Sequence, residues 1–231
     1  MAETLQQALA LLFHLDPEVR AIVWLSLEVS VSAVVLGSAI GLPFGAWLAV
    51  AEFPGRGAAI VVLNGLMGFP SVVVGVLVYL LLSRSGPLGG LGILYSPPAM
   101  IIAQTCLVVP LVAALTRQVV ADAWRDYRTE LTALGYTRLM AVPTLLFDCR
   151  HSLLVTVLAG LGRAMSEVGA VMIVGGNIDG FTRVMTSAIT LETAKGDLPL
   201  SLALGTVLIG VVLALNAVAH GLRQWAMRRY G

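Results

Sequence analysis

Five long apolar stretches dominate the sequence and limit what the chain can fold into. They cover roughly residues 21–51, 58–82, 98–116, 152–174 and 199–222. The hydrocarbon core of a bilayer is about 30 Å thick, so a helix needs about 20 apolar residues to cross it. The stretches lack the alternation of a membrane β-barrel, and a helix satisfies its own backbone hydrogen bonds in lipid. The sequence therefore predicts an all-α, polytopic membrane protein with five transmembrane helices.

Composition agrees with a protein whose main solvent is lipid. Of the 231 residues, 58% are hydrophobic and 12% are charged, and the mean hydropathy is +0.92. A soluble domain has about 25% charged residues. The formal net charge is +1, and the charges lie between the apolar stretches, so neither a nucleic-acid surface nor an acidic tail is expected. Leu5, Leu9, Leu12 and Phe13 recur at helical spacing, which favours a short interfacial helix or a frayed terminus.

Basic residues predict the orientation of the chain. With five spans, one side of the membrane holds Arg56, Arg117, Arg125, Arg128, Arg138, Arg150, Arg223, Arg228 and Arg229. The other side holds Arg20, Arg84, Arg183 and Lys195. The excess of basic residues marks the first side as cytoplasmic, so the N-terminus is expected outside and the C-terminus inside. Residues 1–231 then form one transmembrane domain, with a cytoplasmic loop at 117–151 and an external segment at 175–198.

Small and cyclic residues within two spans predict close packing and bends. Gly37, Gly41 and Gly45 lie four residues apart, which places three missing side chains on one helix face. Pro43 and Pro70 lie within spans and predict bends, where neighbouring groups or water can bond the freed carbonyls. At Pro70, a bend on the side of a pore and a bend that serves packing alone are both open.

Arg163 and Glu167 lie within the fourth apolar stretch, where charges are rare. Their spacing of four allows them to pair on one helix face, in a polar stripe that continues through Ser152, Thr156 and Gly160. Such a pair can lock helices together, or it can take part in gating or anion passage. Both interpretations stay open at this point.

The segment at 117–151 contains an amphipathic helical pattern. Trp124, Tyr127, Leu131 and Leu134 recur at helical spacing, and Gly135 can end the helix. A helix of this kind can rest on lipid headgroups or dock into a soluble partner, and the pattern alone does not choose between them.

The segment at 175–198 carries a row of threonines. Thr182, Thr186, Thr190 and Thr193 recur every three or four residues, as on one face of a helix. Their hydroxyls can face a water-filled pore mouth, bind an oxyanion, or form the wet side of a surface helix. Asp197 is expected to be the N-cap of the fifth span.

The sequence lacks the motifs of a catalytic or nucleotide-binding protein. Lys195 is the only lysine and follows Ala194, so there is no P-loop to hold nucleotide phosphates. His14, His151 and His220 lie far apart, without partners at metal-ligand spacing. We therefore expect no catalytic residue, no cofactor and no metal site. Because the chain has five spans and no internal repeat, the passage is expected to form between two copies.

Several stretches of the sequence carry the marks of a known family. Broadly shared marks are residues 26–32, residues 41–45 and the loop that ends at Gly135, and sharper marks are residues 72–89, 162–178 and 182–197. In these stretches the chain resembles the membrane permease subunit of ABC importers, and most closely its tungstate type. The stretch 162–178 is also similar to molybdate and sulfate permeases, at Arg163, Glu167, Gly169, Ala170 and Asn177. The stretch 182–197 favours the tungstate type.

The resemblance implies an oxyanion importer of the prokaryotic plasma membrane that uses ATP hydrolysed by a partner. It implies a homodimer of permeases, two cytoplasmic ATP-binding subunits and an external substrate-binding protein. Residues 129–135 would form the coupling helix. The family's loop glutamate falls on Thr129, with Glu130 one place later, and no Leu-Pro closes the motif where Asp148 stands. Transport of molybdate or another oxyanion, and an ATP-independent carrier or channel, remain alternatives.

Two groups of functional residues follow from the patterns and the resemblance together. The expected contacts with the ATP-binding subunit are Trp124, Tyr127, Thr129, Glu130, Leu131, Ala133, Leu134 and Gly135. The expected pore and gate residues are Pro70, Arg163, Glu167, Asn177, Thr182, Thr186 and Thr190.

Overall fold

A computed structural model describes residues 17–230. The interfacial helix expected near the N-terminus falls outside that range. The described helices are α1 (Pro17–Val50), α2 (Arg56–Met67), α3 (Ser71–Leu82), α4 (Pro97–Ala133), α5 (Arg138–Asp148), α6 (Arg150–Met165), α7 (Gly169–Gly175), α8 (Met185–Lys195) and α9 (Leu198–Tyr230). A short 3-10 helix covers Gly89–Leu91, and residues 17–230 contain no strand. The predicted all-α class is confirmed.

The helices that can cross a membrane are of two kinds, long continuous helices and pairs of shorter helices separated by a break. By length and composition, Pro17–Val50, Pro97–Ala133 and Leu198–Val218 can each cross a bilayer. Two pairs of shorter helices are also long and apolar enough when each pair is taken as one span, and each pair is bent at a short break. These pairs are Arg56–Met67 with Ser71–Leu82 and Arg138–Asp148 with Arg150–Met165. The described chain therefore has three spans, or up to five when each broken pair counts as one. The predicted count of five is compatible with this arrangement.

The predicted fourth span differs from the structure. A continuous helix was expected over 152–174, but α6 ends at Met165 and α7 begins at Gly169. Together with α6, α5 is long and apolar enough to cross a membrane, and the two helices meet at 76°. The sequence instead predicts that α5 lies in the cytoplasmic loop. Side chains from distant parts of the chain bond the backbone at the break after Met165 and so stabilise it.

The third predicted span and the amphipathic segment form one helix. α4 runs for 37 residues and continues through Pro110. Gly135 has φ +83°, the amide of Gly135 donates to the carbonyl of Thr132, and the amide of Tyr136 donates to the carbonyl of Leu131. These two bonds and the left-handed glycine form a Schellman motif. Gly135 therefore ends the helix as predicted, although residues 129–133 are the last turn of a long helix and not a separate short one.

The described chain divides into two compact units, each assembled from distant segments. Unit 1 contains residues 17–33, 70–104 and 162–215, and unit 2 contains residues 34–69, 105–161 and 216–230. In unit 1, α3 packs on α7, and an added Cβ at Gly75 would lie 2.8 Å from the Cα of Ala170. The side chains of Val29, Met100, Val171, Val174, Met185 and Leu204 are almost completely buried there. α3 and α7 therefore approach each other too closely for a larger residue than glycine.

Unit 2 contains the predicted glycine seam. Added Cβ atoms at Gly37 and Gly41 would lie 2.6 Å and 3.0 Å from valine side chains of α4. At Gly45 the nearest atom is the backbone oxygen of Ala113, at 2.3 Å. The three glycines therefore allow α1 and α4 to pack with their backbones in close contact, as their spacing predicts. Pro43 lies within this seam, and α1 continues through it to Val50.

Candidate functional site

The break between α6 and α7 brings several buried polar side chains together in the interior of unit 1. The side-chain amide of Gln104 donates to the carbonyl of Ala164 at 3.1 Å, and the hydroxyl of Thr186 donates to the carbonyl of Glu167 at 2.7 Å. The backbone amide of Ala170 donates to the Glu167 carboxylate at 3.3 Å. These bonds satisfy backbone groups that a continuous helix would have paired internally. The break is therefore a bonded element of the fold.

Arg163 and Glu167 form the ion pair that their spacing predicts. The nearest nitrogen of Arg163 and oxygen of Glu167 lie 3.8 Å apart, with 3% of the Glu167 side chain and 42% of the Arg163 side chain exposed. The predicted polar stripe on one helix is wrong, because Glu167 lies in the break and not on α6. Ser152 is exposed, whereas Thr156 is buried and donates to its carbonyl at 3.4 Å. The pair thus places one half-exposed positive charge beside a buried carboxylate.

A small pocket lies beside Glu167 within unit 1. Its polar lining residues are Ser26, Ser30, Gln104, Glu167 and Thr186. Its volume of about 10 Å³ suits roughly one water molecule. The side-chain oxygen of Gln104 is buried, and no hydrogen-bond partner for it lies within the described residues. In this conformation the pocket can hold a bridging water but has no room for a larger anion.

The threonines of the 175–198 segment do not form the predicted row of hydroxyls. Thr182 precedes α8 and is buried, and its hydroxyl donates to the carbonyl of Gly175 at 2.6 Å and accepts from the amide of Ile178 at 2.9 Å. Thr186 is buried at the break. Thr190 is exposed, but its hydroxyl donates to the carbonyl of Thr186 at 2.9 Å. The expectation of a shared wet face is therefore wrong, because backbone carbonyls already use these donors.

Asn177 holds the turn between α7 and α8. Its backbone adopts φ +49°, a left-handed conformation that asparagine tolerates better than most residues. Its side-chain oxygen accepts from the hydroxyl of Ser187 at 2.8 Å. Further along the chain, the amide of Leu200 donates to the carboxylate of Asp197 at 3.2 Å, which confirms Asp197 as the N-cap of α9.

Pro70 marks a break, as its position in the sequence predicts. α2 ends at Met67, and α3 begins at Ser71, directly after Pro70. Pro70 is exposed, with φ −61° and ψ 123°, so it precedes the first turn of α3 in an extended conformation. Proline is suited to this place because it cannot donate the hydrogen bond that would join the two helices.

The predicted coupling residues divide between the interior and the surface of unit 2. Trp124 is 8% exposed and packs in a cluster with Val50, Val120, Ala141 and Leu145. Leu131 is half-buried against the same cluster. The exposed members are Tyr127, Thr129, Glu130, Ala133, Leu134 and Gly135. Trp124 therefore stabilises unit 2 itself, whereas the end of α4 presents a surface.

An apolar groove lies at that surface, between the end of α4 and α5. It has a volume of about 260 Å³ and is lined by Tyr127, Glu130, Leu131, Leu134, Thr144, Leu145, Phe147 and Asp148. Leu134 is 74% exposed and Phe147 is 70% exposed. The guanidinium of Arg150 lies 4.3 Å from the centre of the Phe147 ring. Exposed apolar surface with a charged rim is typical of a protein-protein contact.

One ion pair joins the start of α5 to the residues that follow α1 in unit 2. Arg138, at the start of α5, bonds the carboxylate of Glu52, which follows α1. This bond holds the pKa of Glu52 below its usual value. The guanidinium of Arg56 donates to the carbonyls of Leu48 and Ala49 at 3.1 and 2.9 Å, so it caps the end of α1.

Comparison with known proteins decides the family. The chain is 40% identical over 224 residues to the tungstate uptake system permease protein TupB of Peptoclostridium acidaminophilum. The aligned residues cover 97% of this chain and 98% of that protein. It is 41% identical over 211 residues to a probable anion ABC transporter permease of Haloferax volcanii, covering 89% and 91%. It is 36% identical to the TupB protein of Campylobacter jejuni, covering 95% and 92%. The chain belongs to the permease subunits of ABC transporters.

Family membership settles several general expectations for this permease. Proteins named as sulfate and molybdenum transport permeases match at lower identity. No family model matches the chain. The permease is a membrane protein and not an enzyme, because ATP hydrolysis belongs to a partner subunit, and it works with ATP-binding and substrate-binding partners. Among residues 17–230, no group of three histidine, cysteine, aspartate or glutamate side chains could hold a metal ion.

The permease also contains site residues that sequence analysis missed. Gln104 lies in the predicted third apolar span, yet its side-chain amide bonds the end of α6. Ser26 accepts from the amide of Met185 at 2.7 Å and so joins α1 to the start of α8. Ser187 bonds Asn177. A polar residue inside an otherwise apolar stretch was the available signal for Gln104 and Ser26, since such residues in lipid usually bond another helix.

Proposed function

We propose that this permease imports an oxyanion, tungstate, through a passage between two copies of the chain. Two cytoplasmic ATP-binding subunits and one external substrate-binding protein complete the assembly. The observation that carries the proposal is the near full-length match to two relatives named for tungstate uptake. Molybdate is the second candidate substrate, because permeases named for molybdenum transport are more distant relatives.

The proposed contact with the ATP-binding subunit is the end of α4, from Thr129 to Gly135. Its support is the exposed apolar groove, in which Leu134 stands out from the surface beside Phe147. The Schellman motif at Gly135 fixes the direction in which the chain leaves the helix. Closure of the ATP-binding subunits would then move α4, whose other end contributes to the membrane region, and so drive alternating access.

The proposed gate is the break at residues 166–168 with its bonded neighbours. Arg163 offers a half-exposed positive charge that an oxyanion can approach, and Glu167 holds that charge in place. Thr182 and Thr186 set the shape of the following turn and helix through bonds to backbone carbonyls, and Asn177 does so by accepting from the Ser187 hydroxyl. Thr190 and Pro70 are exposed and complete the proposed gate and pore group. The N-terminus is proposed to lie outside the cell, so that residues 117–151 face the cytoplasm.

Uptake by whole cells tests the substrate and the energy source. Cells without their own oxyanion importers would express the permease, the ATP-binding subunit and the binding protein, and cell-associated tungsten and molybdenum would be measured by mass spectrometry. We expect tungsten uptake that disappears when the ATP-binding subunit is made unable to hydrolyse ATP. Uptake that persists with that subunit would contradict the proposal and favour a carrier. Uptake of molybdate in preference to tungstate would contradict the substrate assignment alone.

A pair of substitutions tests the coupling surface. Leu134→Asp places a charge in the groove and is expected to abolish copurification of the ATP-binding subunit, while the permease still inserts in the membrane. Leu91→Asp is the matched control, because Leu91 is also exposed but belongs to unit 1. It should leave copurification unchanged. Equal copurification by the two variants would refute the assignment of residues 129–135.

A further inference from the structure

A larger pocket of unit 1 lies beyond the end of α3, away from the bonded break. It has a volume of about 610 Å³, within the range of roughly 300–1,000 Å³ that is usual for small-ligand sites. Its polar lining consists of Tyr79, Ser83, Arg84, Ser85 and Tyr95. The remaining lining residues are leucines and glycines, and none is acidic. The pocket therefore combines one positive charge with several hydroxyl groups and no negative side chain.

Several hydrogen-bond donors of the pocket are available to a ligand. Arg84 is exposed and makes no ion pair within the part of the chain that the structure describes. The phenols of Tyr79 and Tyr95 bond each other, which raises the pKa of Tyr95. Only one of the two hydroxyls donates in this bond, so the proton of the other is free for a ligand. The Ser83 hydroxyl donates to the carbonyl of Leu80 at 3.0 Å, so the Ser85 hydroxyl, 3.4 Å away, is the donor of the bond between the two serines. A ligand oxygen can accept from Ser85 in place of Ser83.

The backbone around the pocket is tightly packed at two glycines and left-handed at one tyrosine. Added Cβ atoms at Gly86 and Gly89 would lie 2.1 Å from the carbonyl oxygen of Leu80 and 2.3 Å from that of Ser83. Only glycine therefore lets this turn fold back against the end of α3. Tyr95 has φ +62°, a left-handed conformation that a bulky residue rarely adopts, and its amide donates to the carbonyl of Val174 at 2.9 Å. Such strained residues concentrate at binding sites.

We infer that this pocket binds a tetrahedral oxyanion, such as tungstate or molybdate, before the anion enters the passage. Arg84 supplies the charge, and the hydroxyls of Tyr79 and Ser85 bond the oxygens. The inference rests on the proposed function, in which residues 83–97 lie on the outer side of the membrane. A phospholipid headgroup carries similar oxygens and a negative charge, so the test must separate a free anion from a lipid phosphate.

Direct binding to the isolated permease tests the pocket without transport. The permease in phosphatidylcholine nanodiscs would be titrated with tungstate and with molybdate by calorimetry. We expect saturable binding that Arg84→Gln weakens by about tenfold or more, because bonds to a charged group are the stronger ones. Tyr79→Phe removes one neutral donor and should weaken binding by about fivefold. Arg20→Gln, which removes an exposed arginine outside the pocket, should leave the affinity unchanged.

Three results would overturn the inference. The first is no saturable binding by the unaltered permease, and the second is equal affinity of Arg84→Gln and the unaltered protein. The third is a loss of oxyanion affinity when phosphatidylglycerol is added, seen in the unaltered protein and absent in Arg84→Gln, which would assign the pocket to a lipid phosphate. ATP-dependent uptake by the unaltered complex is measured in parallel, because its absence would refute the proposed function, whereas an unchanged affinity of Arg84→Gln refutes only the pocket.

Discussion

Replacement of Gly45 by alanine is a severe test of the seam between α1 and α4. The new Cβ would lie 2.3 Å from the carbonyl oxygen of Ala113, and 2.9 Å from the Cβ of Thr116. The first contact is with backbone inside a helix, so no side-chain rotation can relieve it. The two helices must instead separate by about 1 Å or more, and overpacking of this kind costs roughly 1–3 kcal/mol. We place Gly45→Ala at the upper end, at about 3 kcal/mol.

Alanine substitutions at the other two glycines of the seam can be compared with Gly45→Ala. At Gly37 the closest atom is a methyl group of Val108 at 2.6 Å, and at Gly41 it is the side chain of Val112 at 3.0 Å. The closest atoms at Gly37 and Gly41 belong to side chains, and the backbone oxygen of Val109 lies 3.1 Å from the Gly41 position, which is farther than the 2.3 Å at Gly45. Gly37→Ala and Gly41→Ala should therefore cost less than Gly45→Ala, about 1–2 kcal/mol each. Gly57→Ala is the control, since an added Cβ there meets no atom within 4 Å. It should be neutral or stabilising by up to about 1 kcal/mol.

Thermal unfolding in detergent measures this series. At about 2–4 °C per kcal/mol for a chain of this size, Gly45→Ala should lower Tm by roughly 6–12 °C. The expected order of Tm is Gly57→Ala highest, then Gly41→Ala, Gly37→Ala and Gly45→Ala. If Gly45→Ala and Gly57→Ala unfold at the same temperature, the close backbone contact between α1 and α4 does not exist in the folded protein.

Two further predictions concern the bonded break and the ion pair of α5. Thr186→Val leaves the buried carbonyl of Glu167 without its donor and should destabilise the permease by about 1–3 kcal/mol, whereas the exposed Thr190→Val should cost less than about 0.5 kcal/mol. Equal Tm values for these variants would contradict the assigned bond. The pKa of Glu52 is lowered by Arg138 in the folded state, so its stabilising contribution is present above the usual value of 4.5 and is lost as pH falls through the lowered pKa. Tm measured from pH 3.5 to 6 should therefore fall less toward low pH in Glu52→Gln, and identical profiles would contradict the pairing.

Local features of the fold could be predicted from the sequence because each depends on neighbouring residues. The end of α4 at Gly135 needs only a residue that tolerates positive φ, and the start of α9 needs only an Asp197 side chain that reaches the amide of Leu200. The seam of α1 needs only glycines at helical spacing. Each pattern lies within a few residues of the structure that it produces, so it is visible without knowledge of the fold.

The break after α6 could not be predicted in this way. Its carbonyls are bonded by Gln104, 60 residues before Ala164, and by Thr186, 19 residues after Glu167. Hydropathy instead favours one continuous helix across the same residues. The threonine row failed for a related reason, because Thr182 lies before α8 and bonds the turn after Gly175. A periodic pattern indicates a helix face only where the helix exists.

Whether a side chain is bonded inside the fold determines whether its substitution can report on transport alone. Glu167 and Thr186 are buried and bonded to backbone, so changing either one alters the stability of unit 1 together with any role in gating. Leu134 and Arg84 are exposed, and within residues 17–230 no hydrogen bond or ion pair of the fold uses their side chains. Loss of function after a change at these two positions therefore argues for a lost contact with a partner or an anion, provided that Tm is unchanged. For the buried break, only a variant that keeps Tm and alters uptake would separate gating from folding.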